Sequence, residues 1–387
     1  MKALEKLDSH LKNRLNDLSK AKGQGRKIIG YAAGGYLPEE LILACDAIPI
    51  GFVQAGDNRT LRDAVNYTMK YFDPFWRAQV GLAMSGKDPW YNIVDFIVTA
   101  MTDTHSRLFA TIVDYYGASQ FNSWSFGVPH HTKDESALKF YLHGLSRFKD
   151  KLEEFTGFKI TDAKLKKAIT LCNKERELFK EISTMRRSKD TAVTSRDAIA
   201  LHHGSFIADK KVMVGILESY IKEAKQSAPV SHNGRARIFL TGSTLARGDY
   251  KVMDLIEAAG GTVVMEEFSE GIRPYQFIVK TEGDLMANIA RAYYMDRVCA
   301  GWFRPVDENL AFILQQAKDY NAEGVVWYHG LYRESFKIAS HFFPKMLKEA
   351  TGLSMLLLET EYDKSEIGQM TTRVETFMES IKEASNG

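Results

Sequence analysis

Between positions 99 and 109 the chain reads TAMTDTHSRLF, which places Thr102, Asp103, His105 and Arg107 directly behind the apolar run IVDFIVTA (93–100). A carboxylate, an imidazole and a guanidinium this close offer a proton acceptor, a proton donor and a contact for an anion. Their position strengthens the case. The run before them reads as a strand buried on both faces, and DTHSRLFATIVDYYG reads as the helix that follows. In an open α/β sheet, the carboxyl end of a strand and the N-terminus of the next helix carry the ligand contacts. Asp103 and His105 are therefore candidate catalytic groups, and Thr102 and Arg107 candidate substrate contacts. Asp103 reads equally well as a helix N-cap.

A second set stands in the other half of the chain. Ser243 follows IFLTG, Glu270 and Arg273 lie in SEGIRPY, and His329 ends GVVWYHG, all where strands would finish. Four such tips facing one crevice would build a polar pocket from separate elements, with His329 as a third catalytic candidate and the others contacting substrate. Gln369, Thr372 and Arg373 open the last helix, where N–H groups and charge suit an anion. Other motifs carry less. AAGGY (32–36) and GSTLARGDY (242–250) match neither the dinucleotide nor the phosphate-loop pattern and read as tight turns. HGS (203–205) falls inside a helix-like segment, without the strand-to-helix context of a nucleophile elbow. The pairs His130/His131 and His202/His203 form no HExxH and read as surface or capping residues. Cys45, Cys172 and Cys299 show no ligand spacing; they read as small buried hydrophobes and exclude a disulfide framework.

The elements that would position these residues form two α/β sets. Leu4, Leu7, Leu11, Leu15 and Leu18 recur at helical spacing and make residues 1–22 an amphipathic helix. KIIGYAA (27–33), IPIGFV (48–53) and the run at 93–100 are strands of the first set, with a helix opened by Pro38 between the first two. Consecutive helices without strands follow, with Thr161 and Ser195 as N-caps. RARIFLTG (235–242), TVVMEEF, GVVWYHG (324–330) and MLLLETE then alternate with helices, as right-handed βαβ crossovers require. The expected organisation is an N-terminal helix plus first α/β domain (1–136), a helical connection (137–230) and a second α/β domain (231–387). The fold class is α/β, with two doubly wound parallel sheets.

Bulk properties narrow the function classes. The 387 residues exceed the length at which one hydrophobic core stops growing. Fifty-one basic against forty-nine acidic residues leave a formal charge of +2, too little for the field that nucleic-acid binding needs. With no apolar signal core and no long apolar run, the expectation is a soluble, cytoplasmic protein with neither nucleic acid nor membrane as partner.

Four longer segments carry a resemblance: GYLPEELILACDAIPIGF (35–52), EEFTGFKITDAKLKKAITLCNKER (153–176), MDLIEAAGGTVVMEEFSEGIRPY (253–275) and LLLETEYDKSEIGQMTTRVETFMESI (356–381). In order and spacing they resemble the subunits of the 2-hydroxyacyl-CoA dehydratase and benzoyl-CoA reductase family over nearly the whole chain. The resemblance implies a two-domain subunit paired with a related one in an oxygen-sensitive system. It further implies a cubane iron–sulfur cluster on three cysteines of one subunit, a separate ATP-hydrolysing activator that injects an electron, and an acyl-CoA reduced to a ketyl radical anion.

At the family's three cysteine landmarks this chain has Phe75 and Trp76 before Arg77, Thr102 before Asp103, and Leu331 and Tyr332 after Gly330. Thiolates, and in some cases imidazoles, hold such clusters; hydroxyls and an indole do not. Leu37 also stands where relatives often carry a hydroxyl residue, and Cys299 where they often carry a structural cysteine. The expectation is a chain that binds no cofactor alone. Its cluster would sit on a related, cysteine-bearing partner, and this chain would shape the acyl-CoA cleft and lend groups such as Asp103, His105 and His329 for proton transfer. The alternative is a non-redox acyl-CoA-binding paralogue that acts as scaffold or regulator.

Overall fold

The computed structural model describes residues 1–32, 35–129, 133–230, 234–298 and 306–386. His130, His131 and Cys299 lie outside the described residues. The chain builds two four-stranded sheets, parallel throughout. The first joins β1 (Ile28–Ala32), β2 (Ile48–Phe52), β3 (Phe96–Met101) and β4 (Asn122–Gly127) in the order β2-β1-β3-β4. The second joins β5 (Ala236–Gly242), β6 (Gly261–Glu267), β7 (Gly324–Gly330) and β8 (Met355–Thr360) in the matching order β6-β5-β7-β8. Every residue of β2 and β5 is buried, as expected of strands covered on both faces.

Helices supply the cover. The first sheet is flanked by α1 (Lys2–Gly23), α2 (Glu39–Ala44), α3 (Asn58–Asp63), α4 (Pro74–Met84), α5 (Pro89–Ile93) and α6 (Thr104–Tyr116). A strand-free stretch follows, formed by α7 (Glu135–Thr156), α8 (Asp162–Met185), α9 (Ser195–Ser205) and α10 (Lys210–Gln226). The second sheet carries α11 (Lys251–Ala258), α13 (Val306–Asp319), α14 (Glu334–Thr351) and α15 (Ile367–Asn386), while α12 (Leu285–Arg291) turns back to pack on α7 and α8. Local chemistry sets many of the starts. Asp57, Asp73, Asp88, Asp134, Thr161, Asp209 and Asp284 each accept a first-turn N–H through the side chain.

Two sequence readings need correction, and one strand has no counterpart among them. Thr194, not Ser195, caps α9, because its hydroxyl accepts from Asp197 N–H at 3.0 Å while Ser195 turns to Glu257. The strand β4 escapes a reading by pattern, since NSWSFG at the sheet edge is half polar and shows no apolar run. His202 and His203 are buried rather than superficial. His202 stacks on Phe179, which also stacks on Tyr275, and His203 donates from Nε2 to Leu245 O at 2.8 Å and accepts from Tyr250 Oη at 3.0 Å. Burial holds the pKa of His202 well below the usual value and pushes that of His203 down to about 3.

The two sheets are tied through the segments that follow β2 and β5. Gln54 and Arg247 form an isolated parallel bridge, with Ala55 N–H donating to Arg247 O and Arg247 N–H to Val53 O. On α4, Arg77 reaches Glu361 beyond β8 at 3.0 Å. The helix α1 fastens onto the same body, because buried Arg14 donates to Ile207 O at 2.8 Å and Leu7 and Leu18 are fully covered. Among the described residues no helix is long and apolar enough to cross a membrane.

Candidate functional site

The strand order of each sheet reverses direction once, between β1 and β3 and between β5 and β7, and an open α/β sheet binds its ligand at such a point. Here both points open onto one crevice. Ala32, Thr99 and Thr102 come from the first, and Ser243, Thr244 and Glu270 from the second. Gly242 makes the close approach possible. Its φ of 146° is available to glycine, and a Cβ there would lie 1.7 Å from Tyr328 O. Phe75, Trp76 and Leu37 fill most of the remaining room and leave about 40 Å³, the space of one or two waters. The buried indole N–H of Trp76 has no acceptor among the described residues.

Two charged groups on the crevice wall behave differently. Arg273 is committed to structure: Nε donates to Glu267 Oε1 at 2.6 Å, and Nη2 to Glu267 Oε2 at 2.7 Å and Gly242 O at 3.1 Å. Glu270 has no such cation in contact among the described residues. It accepts from Leu245 N–H at 3.2 Å, and burial pushes its pKa up to about 7 against the pull of that bond and of Arg273. It is therefore a carboxyl able to hold or release a proton near neutral pH.

Arg333, in the turn between β7 and α14, closes the crevice. Its Nη2 lies 2.8 Å from Asp103 Oδ2 and its Nη1 3.6 Å from Asp73 Oδ1, so one guanidinium spans two carboxylates of the other sheet. Both acids are helix N-caps. Asp73 accepts from Trp76 N–H, followed by Pro74 at the first helical position, and Asp103 forms a capping box with Ser106. His105 adds a second strut. Tyr332 O can only accept, so Nε2 donates to it at 2.8 Å, while Asp73 N–H donates to Nδ1 at 3.4 Å. The ring's proton therefore sits on Nε2. Tyr332 holds a left-handed backbone (φ 65°) and packs its ring edge-on against Tyr71.

Beyond the Thr102–Arg333 wall lies a much larger space, about 720 Å³, in front of the N-terminus of α6. Met101, Val128, Pro129, Ala137 and Phe140 form its apolar side, and Thr104, His105, Arg107 and Glu334 its polar side.

The structure thus gathers most of the residues singled out from the sequence. Trp76, Thr102, Ser243, Glu270 and Arg273 line the crevice; Thr102, Asp103, His105 and Arg107 line the cavity. His329 does not join them. It is buried 3.7 Å from Glu359, neither ring nitrogen has a hydrogen bond among the described residues, and burial lowers its pKa to about 4. Gln369, Thr372 and Arg373 are also elsewhere, exposed on α15, with Arg373 bonded to Leu357 O. Cys45 and Cys172 are buried, and their thiols are pushed up by burial, to about 11 for Cys45.

Sequence reasoning missed Arg333 and Asp73, as well as a buried charged group behind Leu37. There Lys210 lies 2.5 Å from Glu39 and 2.8 Å from Glu175, and burial raises Glu175 to about 7. Asp73 had a local signal, Asp-Pro at a helix start; Arg333 had none.

A family model described as 2-hydroxyglutaryl-CoA dehydratase, D-component, matches residues 35–381. The chain belongs to this family. It is 22% identical over 366 residues to the (R)-phenyllactyl-CoA dehydratase beta subunit of Clostridium sporogenes, covering 92% of each chain. It is 23% identical over 314 residues to one of the benzoyl-CoA reductase subunits of Thauera aromatica, covering 78% of this chain and 77% of that one. YjiM of Escherichia coli (strain K12), whose name assigns it only provisionally to a dehydratase, is 22% identical over 350 residues, 89% of each chain. Relatives of both kinds that the sequence segments resemble, dehydratase and benzoyl-CoA reductase subunits, are thus among the proteins this chain is similar to.

Proposed function

We propose that this chain is a cluster-free subunit of a heteromeric complex of the 2-hydroxyacyl-CoA dehydratase or benzoyl-CoA reductase type. A related, cysteine-bearing partner holds the iron–sulfur cluster, an ATP-dependent activator supplies the electron, and this chain shapes the acyl-CoA cleft. The cytoplasm is the proposed compartment. The observation that carries the reading is the crevice. The landmarks at Trp76 and Thr102 meet in it, and Tyr332 adjoins it, yet among the described residues its walls offer an indole, hydroxyls, a carboxyl and guanidinium groups but no thiol. That donor set does not fit an iron–sulfur cluster, which is held mainly by thiolates. The narrowness of the space argues the same way.

The test is anaerobic production of the chain alone and together with a cysteine-bearing partner, with iron and acid-labile sulfide measured per polypeptide. The expected result is a stable complex whose iron stays with the partner when the two proteins are separated. A stoichiometric cluster on this chain alone refutes the reading. A stable monomer or homodimer that ignores every such partner, and binds acyl-CoA without redox activity, supports the scaffold alternative.

A further inference from the structure

Among the described residues behind Leu37, buried acid outnumbers buried base. Glu39, Glu40 and Glu175 come together with Arg176 and Lys210, and none of these side chains is more than 14% exposed. Arg176 is spent on Glu40: its Nη2 donates to Glu40 Oε1 at 2.7 Å, while Tyr293 Oη donates to Glu40 Oε2 at 2.8 Å. That leaves Lys210 between Glu39 at 2.5 Å and Glu175 at 2.8 Å, one cation for two carboxyls. A buried charge in excess of its partners neutralises itself, here by taking up a proton. The proton has a marked seat. Tyr31 Oη and Lys210 Nζ already serve the two oxygens of Glu39, whereas Glu175 Oε1 is buried with no hydrogen-bond partner among the described residues. As an O–H it can donate to water in the cavity of about 40 Å³ that Glu175 lines.

The other groups around this cavity leave the proton on a carboxyl. Burial pulls the Lys210 amine down, but Glu175 and Glu39 outweigh it and hold the pKa well above the usual lysine range. Tyr31 on β1, Cys172 on α8, Tyr275 before α12 and Tyr293 after it also line the cavity, and burial keeps all four neutral. Burial raises Glu175 to about 7, with Lys210 and Arg176 opposing the rise and Glu39 adding to it. Gly35 and Leu37 line both this cavity and the crevice, so the turn before α2 is their shared wall. On the crevice side stands Glu270, which holds a proton about as firmly as Glu175 does. Resting on the functional reading above, we propose that the cavity behind Leu37 is a proton store for the crevice. Glu175 holds one proton beside Lys210 and passes it through water, past Gly35 and Leu37, to the Glu270 carboxylate. The O–H bond of Glu175 breaks, that of Glu270 forms, and nothing is oxidised or reduced. The carboxylate left on Glu175 stays paired with Lys210. Where a partner delivers electrons to a cleft of low dielectric, a proton released from this side offsets the added charge.

The test is infrared difference spectroscopy of the full chain without a partner, from pH 5 to pH 9, with Glu175→Gln as the reference. The expected result is a protonated-carboxyl band that Glu175→Gln lacks and that disappears with a midpoint of about 7. Glu39→Gln removes the competing charge and should move that midpoint toward acid by at least about one pH unit, which a purely structural role for the pair would not do. Exchange of the same band in D2O reads the passage. Leu37→Ala joins the two spaces and should speed the exchange by more than about tenfold, and Glu270→Gln removes the acceptor and should slow it by a similar factor. Absence of the band at pH 5, or a midpoint that Glu39→Gln leaves in place, overturns the store. Exchange that neither Leu37→Ala nor Glu270→Gln alters overturns its link to the crevice. Because the spectra need no partner and no iron, a missing band leaves the functional reading standing, whereas a cluster found on this chain refutes that reading and leaves the store in place.

Discussion

Replacing Arg333 with Met keeps most of the stem that lies near Phe336 but removes the cation between Asp73 and Asp103. The two carboxylates lose unequally. The Asp103 side chain is 16% exposed and keeps its bond from Ser106 N–H, so water and the helix still stabilise it. Asp73 is 1% exposed and is left buried without its guanidinium. Removing one partner of a buried pair costs about 3–5 kcal/mol, and the 3.6 Å separation puts this case near the lower bound, about 3 kcal/mol at pH 8.

The pH dependence carries a sign. Burial raises the Asp73 pKa, and Arg333 followed by His105 lowers it, so the variant raises it further. A carboxyl whose folded pKa exceeds its unfolded value binds more protons when folded, and stability falls as pH rises between the two. The deficit should therefore be smaller at pH 5 than at pH 8, because lowering the pH favours the protonated acid that no longer needs the cation. Urea unfolding at both pH values measures it for the parent, Arg333→Met, Asp73→Asn and the double variant. Asparagine still caps a helix but leaves no charge, so the double variant should recover at least half of the loss at pH 8. A deficit that is constant with pH and below about 1 kcal/mol, or no recovery from Asp73→Asn, refutes the account of Arg333 as a clasp.

Three other substitutions probe separate parts of the argument. Glu270, raised to about 7 by burial, binds more protons folded than unfolded, so its contribution is greatest in acid and is lost as pH climbs toward 8. Glu270→Gln should remove about 2 kcal/mol of that fall between pH 5 and pH 8, measured by urea midpoints. His203 has the opposite sign. Its pKa, lowered to about 3, means the unfolded chain binds the proton first, and stability is lost as pH falls below 6.5. His203→Gln should lessen the decline from pH 6 to pH 4 by about 2 kcal/mol in thermal or urea melts; an unchanged acid limb counts against a buried, uncharged ring. Gly242→Ala places a methyl 1.7 Å from Tyr328 O at a φ of 146° and should cost more than about 3 kcal/mol, with little soluble protein recovered. A near-neutral outcome would mean that β5 and β7 do not approach as described.

What the sequence determined alone is what short-range physics encodes. Apolar runs at 93–100, 235–242 and 324–330 mark strands covered on both faces. Asp73-Pro74, Asp103 and Thr161 stop the chain and start helices through side chains that reach only three residues. Alternation of strands and helices then forces parallel sheets, and that in turn puts TDTHSR and Ser243 at strand ends. Family membership was also written in the order of four segments.

Tertiary structure alone decided which of these ends share a space. His105 meets Tyr332 across 227 positions of chain, and no local pattern marks Arg333 as the residue that binds Asp103 and Asp73. The same holds for His329, which looks like a site residue by its strand position yet faces Glu359, because a side chain's face depends on its neighbours in the sheet. Burial, too, is a property of the assembled body. It separates Glu270, pushed to about 7 within the crevice wall, from exposed Arg373, though both stood near element ends in the sequence.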